Sequence, residues 1–429
     1  MKSATSRRAD RPAPLKARSG RRARAVGAVV GALAAVSVGF APGAAAYDAQ
    51  SKQWYLDAMR AEQMWKVSTG KGIKIAVIDS GVNPRTPALK GQVLTGEVAK
   101  SMSYHVTQDY SGHGTSMAEL IAGTGAGGGI KGIAPDAKII PYRIQMEELK
   151  DKAELSRTPE PAEAIRAAAD SDAKILSMSF GSETIDPDQE AALRYAASKG
   201  KLMMAAVGNE GARTGHVSYP AAYPYAVGIS SLDESGTVEK TSSYGSHVDL
   251  AAPGSNIPSW CDSSFQSYCV RDGGTSSAAA LASGAAALVW SVHPDWTANQ
   301  VLRSLIDTAS RTWKKDDPSM YAGYGTVRPR TVLANPDYDA GPAETDPLAK
   351  ENGGAAQPAS EDETEPSTSA SDSSQPTQNA SEVPAEAAGS EAKSSSSDSN
   401  TLWIALGAVA AVIVIGGGGF AVMRARRSQ

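Results

Sequence analysis

The sequence predicts an α/β fold in which a mostly parallel sheet carries helices on both faces. Five short apolar segments recur through the middle of the chain without the polar alternation of half-exposed strands: 73–79, 137–144, 173–181, 201–211 and 226–233. Such segments are typical of strands that are buried on both sides of a parallel sheet. Helical patterns separate them, and strands alternating with helices indicate crossover connections between parallel strands.

Length and charge limit the kind of protein this can be. The chain has 429 residues, which is enough for one domain with a large core plus additional segments. Its formal net charge of −4 gives no strong field that would attract nucleic acid.

Residues 1–46 have the pattern of a secretory signal peptide. A basic stretch precedes an apolar run over 25–46 that ends in small side chains, among them Ala44 and Ala46. We expect cleavage after Ala46, although an uncleaved membrane anchor is the alternative. An N-terminal extension over 47–70 then leads into a domain that spans 71–335.

Two helices can be placed between the predicted strands. In the segment 158–171, Thr158 is the expected N-terminal cap and Pro159 lies in the first turn. The second helical segment, 186–200, ends at Gly200, a residue type that commonly terminates helices.

Two polar residues lie where active residues of such folds collect. Asp79 ends the first strand, and in open α/β sheets active residues gather at the carboxyl ends of strands. A helix-capping aspartate is the simpler interpretation. His113 opens an apolar helix between Gly112 and Gly114, and these glycines let another segment approach closely. A histidine beside glycine is often only structural, but none of the other four histidines has this setting.

Two further candidates are a serine and an asparagine. Ser276 lies in "DGGTSSAAALASGAAALVW", where a turn over 272–274 precedes an apolar helix that starts near Thr275 or Ser276. A hydroxyl there is ordinarily a cap, but a helix N-terminus also offers N–H groups and a positive dipole to an oxyanion. Asn209 follows a buried strand in "AAVGNEGA". It is either a turn residue or a side-chain donor to such an oxyanion.

The C-terminal part predicts a membrane anchor. Residues 336–400 are rich in Ser, Pro, Ala and acidic residues and poor in large apolar ones, so we expect a disordered acidic linker. Residues 401–423 are uncharged and long enough to span a bilayer, and three arginines follow in the tail 424–429. The positive-inside rule places this tail in the cytoplasm. The chain is therefore expected to be a single-pass protein of the cell membrane whose folded domain is extracellular.

Export predicts the state of the two cysteines, Cys261 and Cys269, which bracket a short loop. Because the compartment is oxidising, we expect them to form a disulfide bond. Two free buried thiols are the alternative, and a metal site is disfavoured because no Cys or His cluster accompanies them.

In the order of these candidates along the chain and in the sequence motifs around them, the chain resembles the subtilisin-like serine proteases, the subtilases. The resemblance covers roughly 70–335 and rests on "VIDSG", "GHGT", "SMSFG", "AAVGNEG" and "GGTSSAAA". It implies a catalytic triad of Asp79, His113 and Ser276, with His113 as the general base, and it makes Asn209 the oxyanion donor. It also implies that "SMSFG" is an edge strand that pairs with substrate, which gives these substrate-binding residues: Ser177, Ser179, Phe180, Gly181 and Gly208.

A narrower resemblance is to the mycosins, membrane-anchored subtilases associated with type VII secretion in actinobacteria. It rests on the segment 47–81, the linker and the C-terminal apolar span. It implies an extracellular serine endopeptidase that processes exported polypeptides, with membrane proteins of a secretion system as partners. It also implies an N-terminal extension that packs on the catalytic domain. The alternative is a catalytically weak or inactive structural subunit of a secretion machine.

Two residues depart from the subtilase pattern. Glu119 stands where glycine is usual, and Ala280 stands where proline is usual. Glu119 lies six residues beyond His113, about 240° round an α-helix, so its charge is expected to point away from the imidazole. Ala280 favours the helix and restores a backbone N–H. No cofactor or metal is expected; the family resemblance allows calcium, but no dense Asp/Asn loop offers a site for it.

Overall fold

A computed structural model of the chain describes residues 48–271 and 274–350. Six strands form one parallel sheet: β1 (Lys74–Asp79), β2 (Lys138–Arg143), β3 (Ile175–Met178), β4 (Leu202–Ala206), β5 (Ala226–Leu232) and β6 (Leu250–Pro253). Their order across the sheet is β2-β1-β3-β4-β5-β6. A separate antiparallel hairpin follows, made of β7 (Ile257–Trp260) and β8 (Tyr268–Arg271).

Helices cover both faces of the sheet. They are α1 (Trp54–Met59), α2 (Ala61–Trp65), α3 (His113–Ala122), α4 (Lys152–Leu155), α5 (Pro161–Ala169), α6 (Pro187–Ser198), α7 (Thr275–Val292), α8 (Ala298–Thr308) and α9 (Pro329–Leu333). Alternate residues of the strands enter two separate apolar cores: Ile75 packs with the group that includes α3, α7 and α8, and Ala76 with the group that includes α5 and α6. The predicted α/β class, with helices on both faces, is therefore confirmed.

The sheet order creates a crevice beside β1. Because β2 lies on one side of β1 and β3 on the other, the chain crosses over β1 and the loops after β1 and β3 diverge. In open α/β sheets ligands bind in the crevice outside the carboxyl ends of strands at such a switch point. The five predicted strands all form; β6 and the hairpin were not anticipated, because their apolar stretches are only four residues each.

The start of α5 differs from the prediction. Thr158 was expected to cap this helix, but the helix begins at Pro161 and the flanking residue is Glu160, whose backbone N–H is bonded to the Glu163 carboxylate at 3.0 Å. A residue that precedes proline is held in extended conformation. Since prolines stand at 159 and 161, both Thr158 and Glu160 are subject to this restriction, and the helix cannot start until Pro161 itself. At the end of α6, Gly200 has a φ of 69°, which confirms its predicted role as a helix terminator.

Helix α7 runs through the core and begins at Thr275, as predicted. It is long and apolar enough to cross a membrane, but 83% of it is buried in protein, so it is a core helix. Its small residues allow close packing: a Cβ atom at Gly284 would collide with the side chain of Ile133. Asp272 and Gly273 of the predicted turn lie outside the described residues.

The N-terminal extension packs on the domain, as the resemblance implied. Trp54 Nε1 donates to the carbonyl of Ser255 at 3.0 Å, and Trp65 Nε1 donates to the carbonyl of Ile133 at 2.8 Å. Tyr55 is fully buried. The extension is thus part of the same folded unit as the strands.

The predicted boundary of the linker at 336 needs correction. Residues 336–350 pack on α8, where Arg303 donates to the carbonyls of Ala340 and Pro342 at 3.0 and 2.7 Å. Leu348 is 2% exposed and belongs to the core. The composition of this stretch is polar, but Arg303 and other polar side chains at the start of α8, among them Gln300, donate to its backbone carbonyls. The predicted signal peptide, the rest of the linker, the apolar span and the tail lie outside the described residues.

Candidate active site

The carboxylate of Asp79 and the imidazole of His113 form a direct pair. Asp79 is the last residue of β1 and is 0% exposed, while His113 is the first residue of α3. His113 Nδ1 lies 2.8 Å from Oδ1 and 3.0 Å from Oδ2 of Asp79. The approach of the two elements requires glycine at 114, because a Cβ atom there would collide with the carbonyl oxygen of Gly81.

Asp109, which the sequence analysis did not single out, organises the turn before His113. Its Oδ1 accepts from Ser80 Oγ at 2.7 Å and from Gly112 N at 2.8 Å, and its Oδ2 accepts from the backbone and hydroxyl of Thr115 at 2.8 and 2.7 Å. It is 5% exposed. The signal was present in the sequence: an aspartate a few residues before an apolar helix commonly satisfies backbone N–H groups.

The environment of His113 favours the imidazolium over the neutral ring. Burial of the imidazole would lower its pKa, but the charge of Asp79 and its hydrogen bond outweigh burial, and Asp109 and Glu148 act in the same direction. The pKa of His113 is therefore raised above its ordinary value. Its side chain is 27% exposed, so a ligand can reach the ring.

Ser276 is the second residue of α7 and lies in the same cleft as His113. Its Oγ donates to the carbonyl of Ser179 at 3.1 Å, and Ser179 Oγ donates to the carbonyl of Ser276 at 3.0 Å. In this conformation the hydroxyl is therefore directed to Ser179 and not to His113. The Ser276 proton must turn away from this carbonyl before the hydroxyl can donate to another partner.

Asn209 is fixed by the first residue of α7. Its Oδ1 accepts from Thr275 N at 3.1 Å and from Thr275 Oγ1 at 3.2 Å, and Gly208 N donates to Thr275 Oγ1 at 3.1 Å. A Cβ atom at Gly274 would lie 2.7 Å from Asn209 Oδ1, so glycine permits this contact. Because the oxygen of the amide is engaged, its NH2 group is the end that remains to donate to a ligand.

These residues line one cleft of about 980 Å³. His113, Ser276 and Asn209 share it with four of the five predicted substrate-binding residues: Ser179, Phe180, Gly181 and Gly208. The fifth, Ser177, is 1% exposed and lies inside β3, away from the cleft lining. The expected edge strand also needs correction, because β3 is an interior strand between β1 and β4, and only its extension beyond Met178 reaches the cleft.

The opposite side of the cleft is formed by the β7–β8 hairpin. Ser259 and Trp260 line the cleft, and Cys261 and Cys269 form a disulfide bond across the hairpin with a Cα–Cα distance of 5.3 Å. The predicted disulfide is therefore confirmed. The backbone N–H of Trp260 donates to Ser116 Oγ at 2.9 Å, which connects this side of the cleft to α3.

The two departures from the expected pattern are both buried. Ala280 is fully buried in α7. Glu119 is 0% exposed, and its carboxyl is bonded to Thr86 Oγ1 at 2.7 Å and to Tyr268 OH at 2.8 Å. Burial raises the pKa of Glu119 to about 7. Within 48–271 and 274–350, no group of three or more His, Cys, Asp or Glu side chains is arranged to hold a metal ion.

The site suits acyl transfer. A carboxylate orients an imidazole, a hydroxyl stands at the N-terminus of a helix in the same cleft as that imidazole, and a side-chain amide lines this cleft as well. Each of these groups comes from a different element, namely β1, α3, α7 and the loop after β4. The sheet order brings them together.

Comparisons with known proteins agree with this chemistry. The model of the Subtilase family, Peptidase_S8, matches residues 70–326. Thermitase from Thermoactinomyces vulgaris is 34% identical over 242 residues, which cover 56% of this chain and 82% of thermitase. Two solved structures are also similar. The MycP3 protease from the type VII (ESX-3) secretion system is 32% identical with a TM-score of 0.55, covering 65% of this chain and 87% of that one. The serine protease MycP1, described as an essential component of the type VII (ESX-1) secretion system, is 28% identical with a TM-score of 0.54, covering 68% and 90%.

The family model covers more than half of the chain, and the fold, a subtilisin-like α/β sheet, is the one that these relatives share. The structural likeness to MycP proteases also agrees with the narrower resemblance seen in the sequence. This chain belongs to the subtilase family and is a serine endopeptidase of subtilisin-like fold.

Proposed function

We propose that Asp79, His113 and Ser276 are the catalytic triad of this protease and that Asn209 is its oxyanion donor. The observation that carries this proposal is the Asp79–His113 pair at 2.8 Å, in the same cleft as Ser276 at the start of α7. Because His113 Nδ1 is engaged by Asp79, Nε2 is the nitrogen that accepts the Ser276 proton. The Ser276 hydroxyl must first exchange its hydrogen bond to the carbonyl of Ser179 for one to this nitrogen.

The proposed mechanism then proceeds through an acyl-enzyme. Ser276 Oγ attacks the peptide carbonyl, and the resulting oxyanion accepts hydrogen bonds from the Asn209 NH2 group and from the backbone N–H of Ser276 in the first turn of α7. His113 then returns the proton to the leaving amine, and water hydrolyses the acyl-enzyme by the same path. Asp79 stabilises the imidazolium during both transfers.

We further propose that the enzyme is anchored in the cell membrane and processes exported proteins in type VII secretion. The support is the likeness to MycP3 and MycP1, which are described as a protease from, and an essential component of, such systems. The predicted signal peptide and the uncharged segment 401–423 support a membrane-anchored topology with the catalytic domain outside.

A second candidate function is a structural role in a secretion machine. MycP1 is described as an essential component of its system, a description that a scaffold role would also satisfy. The presence of His113, Asn209 and Ser276 in one cleft, with the buried Asp79 bonded to His113, favours catalysis. The two roles are compatible, and the experiment below separates them.

Labelling with a fluorophosphonate probe tests the proposed nucleophile. The full chain should be labelled, the Ser276→Ala variant should not, and the matched variant Ser277→Ala, one residue further along α7, should be labelled as the wild type is. Complementation of secretion by Ser276→Ala would support the structural role. Full labelling of Ser276→Ala together with loss of labelling in Ser277→Ala would show that the nucleophile is misassigned.

A further inference from the structure

Glu119 places a carboxyl group inside the protein on the helix that carries His113. It lies in α3 and is 0% exposed. Thr86 Oγ1 donates to Oε1 at 2.7 Å, and Tyr268 OH donates to Oε2 at 2.8 Å. Thr86 belongs to the loop after β1, and Tyr268 is the first residue of β8. One carboxyl therefore joins the loop after β1, the helix of His113 and the hairpin.

The contact with Tyr268 leads directly to the wall of the substrate cleft. The Tyr268 ring stacks on the indole of Trp260, with ring centroids 3.8 Å apart and an interplanar angle of 26°. Trp260 lines the cleft together with His113 and Ser276. Two sets of contacts thus hold Trp260 to α3. The first is the hydrogen bond from Trp260 N to Ser116 Oγ at 2.9 Å. The second is the hydrogen bond from Tyr268 to Glu119 together with the stacking of Tyr268 on the indole.

The surroundings of Glu119 are neutral. Its neighbours are the hydroxyls of Thr86 and Tyr268 and the indole of Trp260, and Tyr55 of α1 is the other titratable group nearby. None of these groups carries a charge near neutral pH. A buried carboxyl without a cation stabilises the fold less than an alkyl side chain of similar size would. Its specific contribution is therefore the direction of its two hydrogen bonds.

We propose that Glu119 is a positioning residue for peptide hydrolysis, and that its bonds to Thr86 and Tyr268 hold the Trp260 side of the cleft at a fixed distance from the helix of His113. The proposal rests on the proposed assignment of this cleft as the catalytic site. In this proposal Glu119 does not touch the substrate. It acts through Tyr268 and Trp260 on substrate binding, and leaves the chemistry of His113 and Ser276 unchanged.

The proposal predicts a pH effect on substrate binding. Burial raises the pKa of Glu119 to about 7, with Thr86, Tyr268 and Trp260 opposing burial. The stability that the neutral carboxyl contributes is fully present below the pKa of an unfolded glutamate and is lost as pH rises through about 7. Thr86 and Tyr268 both donate to the carboxyl, so their bonds are strengthened when Glu119 ionises and hold the hairpin more firmly to α3. The KM for a peptide should therefore fall as pH rises through this value.

The test compares kcat and KM of the full chain between about pH 5.5 and 9 for the wild type, Glu119→Gln and Tyr268→Phe. Glu119→Gln keeps the shape of the side chain but cannot ionise, and its NH2 group cannot accept one of the two bonds, so its KM should be raised and should no longer fall near pH 7. Tyr268→Phe keeps the ring stack but removes one hydrogen bond, so its KM should increase about two- to tenfold, with kcat nearly unchanged. In all three proteins kcat should follow the same ionisation of His113.

The outcomes separate a positioning role from a merely structural one. Equal pH profiles of KM in the wild type and Glu119→Gln would overturn the proposal. So would a Tyr268→Phe variant that unfolds at lower urea concentration but keeps the wild-type KM. Fluorophosphonate labelling tests the assignment of Ser276 separately. If the triad assignment is wrong, Ser276→Ala will be labelled as the wild type is, whatever the KM values are.

Discussion

At the scale of single residues, the oxygen and the NH2 group of the Asn209 side chain have different roles. Its oxygen accepts from the backbone and hydroxyl of Thr275, and its NH2 group is left to donate. Replacement by aspartate keeps an oxygen for Thr275 but removes both N–H donors. We expect Asn209→Asp and Asn209→Ala to fold and to lose about 10²- to 10³-fold in kcat, with little change in KM. Steady-state kinetics measures this, and normal kcat in either folded variant would remove Asn209 from the site.

The Asp79–His113 pair predicts how kcat/KM should decline at low pH, which we call the acid limb. Because the general base must be neutral and the pKa of His113 is raised, kcat/KM should increase with pH through a pKa above the ordinary histidine value of about 6.5. In Asp79→Asn the effect of burial, which lowers the pKa of His113, remains while the carboxylate is lost. The acid limb should then move to lower pH, and kcat should fall by about 10³- to 10⁴-fold.

The matched control for this prediction is Glu148→Gln, a change at an exposed residue that keeps the Asp79–His113 pair. It should lower the pKa of His113 less, since Glu148 contributes less to it than Asp79 does. If the decline of kcat/KM at low pH occurs at the same pH in Asp79→Asn as in the wild type, a group other than His113 controls it.

At the scale of elements, the approach of the loop after β1 to α3 depends on one backbone position. A Cβ atom at Gly114 would collide with the carbonyl oxygen of Gly81 and lie 3.0 Å from the side chain of Asp79. Backbone cannot move aside as a flexible side chain can. We expect Gly114→Ala to destabilise the protein by about 1–3 kcal/mol and to reduce activity, measured by urea unfolding and peptide hydrolysis.

A control for Gly114→Ala is available in the same protein. Gly96 is exposed and a Cβ atom there meets no other atom within 4 Å. Gly96→Ala should leave both the unfolding midpoint and kcat/KM close to the wild type. Equal behaviour of the two variants would contradict the steric argument.

Elements whose signals lie within their own residues were predicted well, and elements that depend on contacts distant in sequence were not. Strands such as β1 were predictable because a run of apolar residues needs no partner to be recognised, and His113 and Ser276 were found because glycines and a helix start mark them. The start of α5 was misplaced because paired prolines, not the hydroxyl of Thr158, fix it. The hairpin was missed because it depends on contacts distant in sequence, among them Tyr268 with Glu119. Ser177 was misassigned because the position of β3 within the sheet order cannot be read from its own residues.

At the scale of the whole molecule, the charge of the cleft predicts a substrate preference. Its lining includes the carboxylates Glu147, Glu148, Glu183 and Glu210, and among the described lining residues the one guanidinium, Arg213, lies 3.0 Å from Glu210 and 3.9 Å from Glu183. Peptides with Lys or Arg near the scissile bond should therefore have kcat/KM values about two- to fivefold above neutral analogues, and salt should reduce the difference. Glu147→Gln with Glu148→Gln should diminish it, whereas Glu62→Gln on α2 should not. A preference that survives both changes would have another origin.

The proposed membrane topology predicts where an external protease should cut the chain. Arg303 and the buried Leu348 hold the chain to the domain through Lys350, so the acidic segment that we propose as a linker begins beyond it. Protease added to intact cells should cut within 351–400 and release a soluble fragment that still hydrolyses peptides and reacts with a fluorophosphonate. In the proposed topology an epitope placed after Gln429 should stay protected, because the positive-inside rule predicts a cytoplasmic position for the arginines that follow 401–423. If the catalytic domain is protected until the cells are lysed, or if the epitope is lost together with the released fragment, the proposed orientation is wrong.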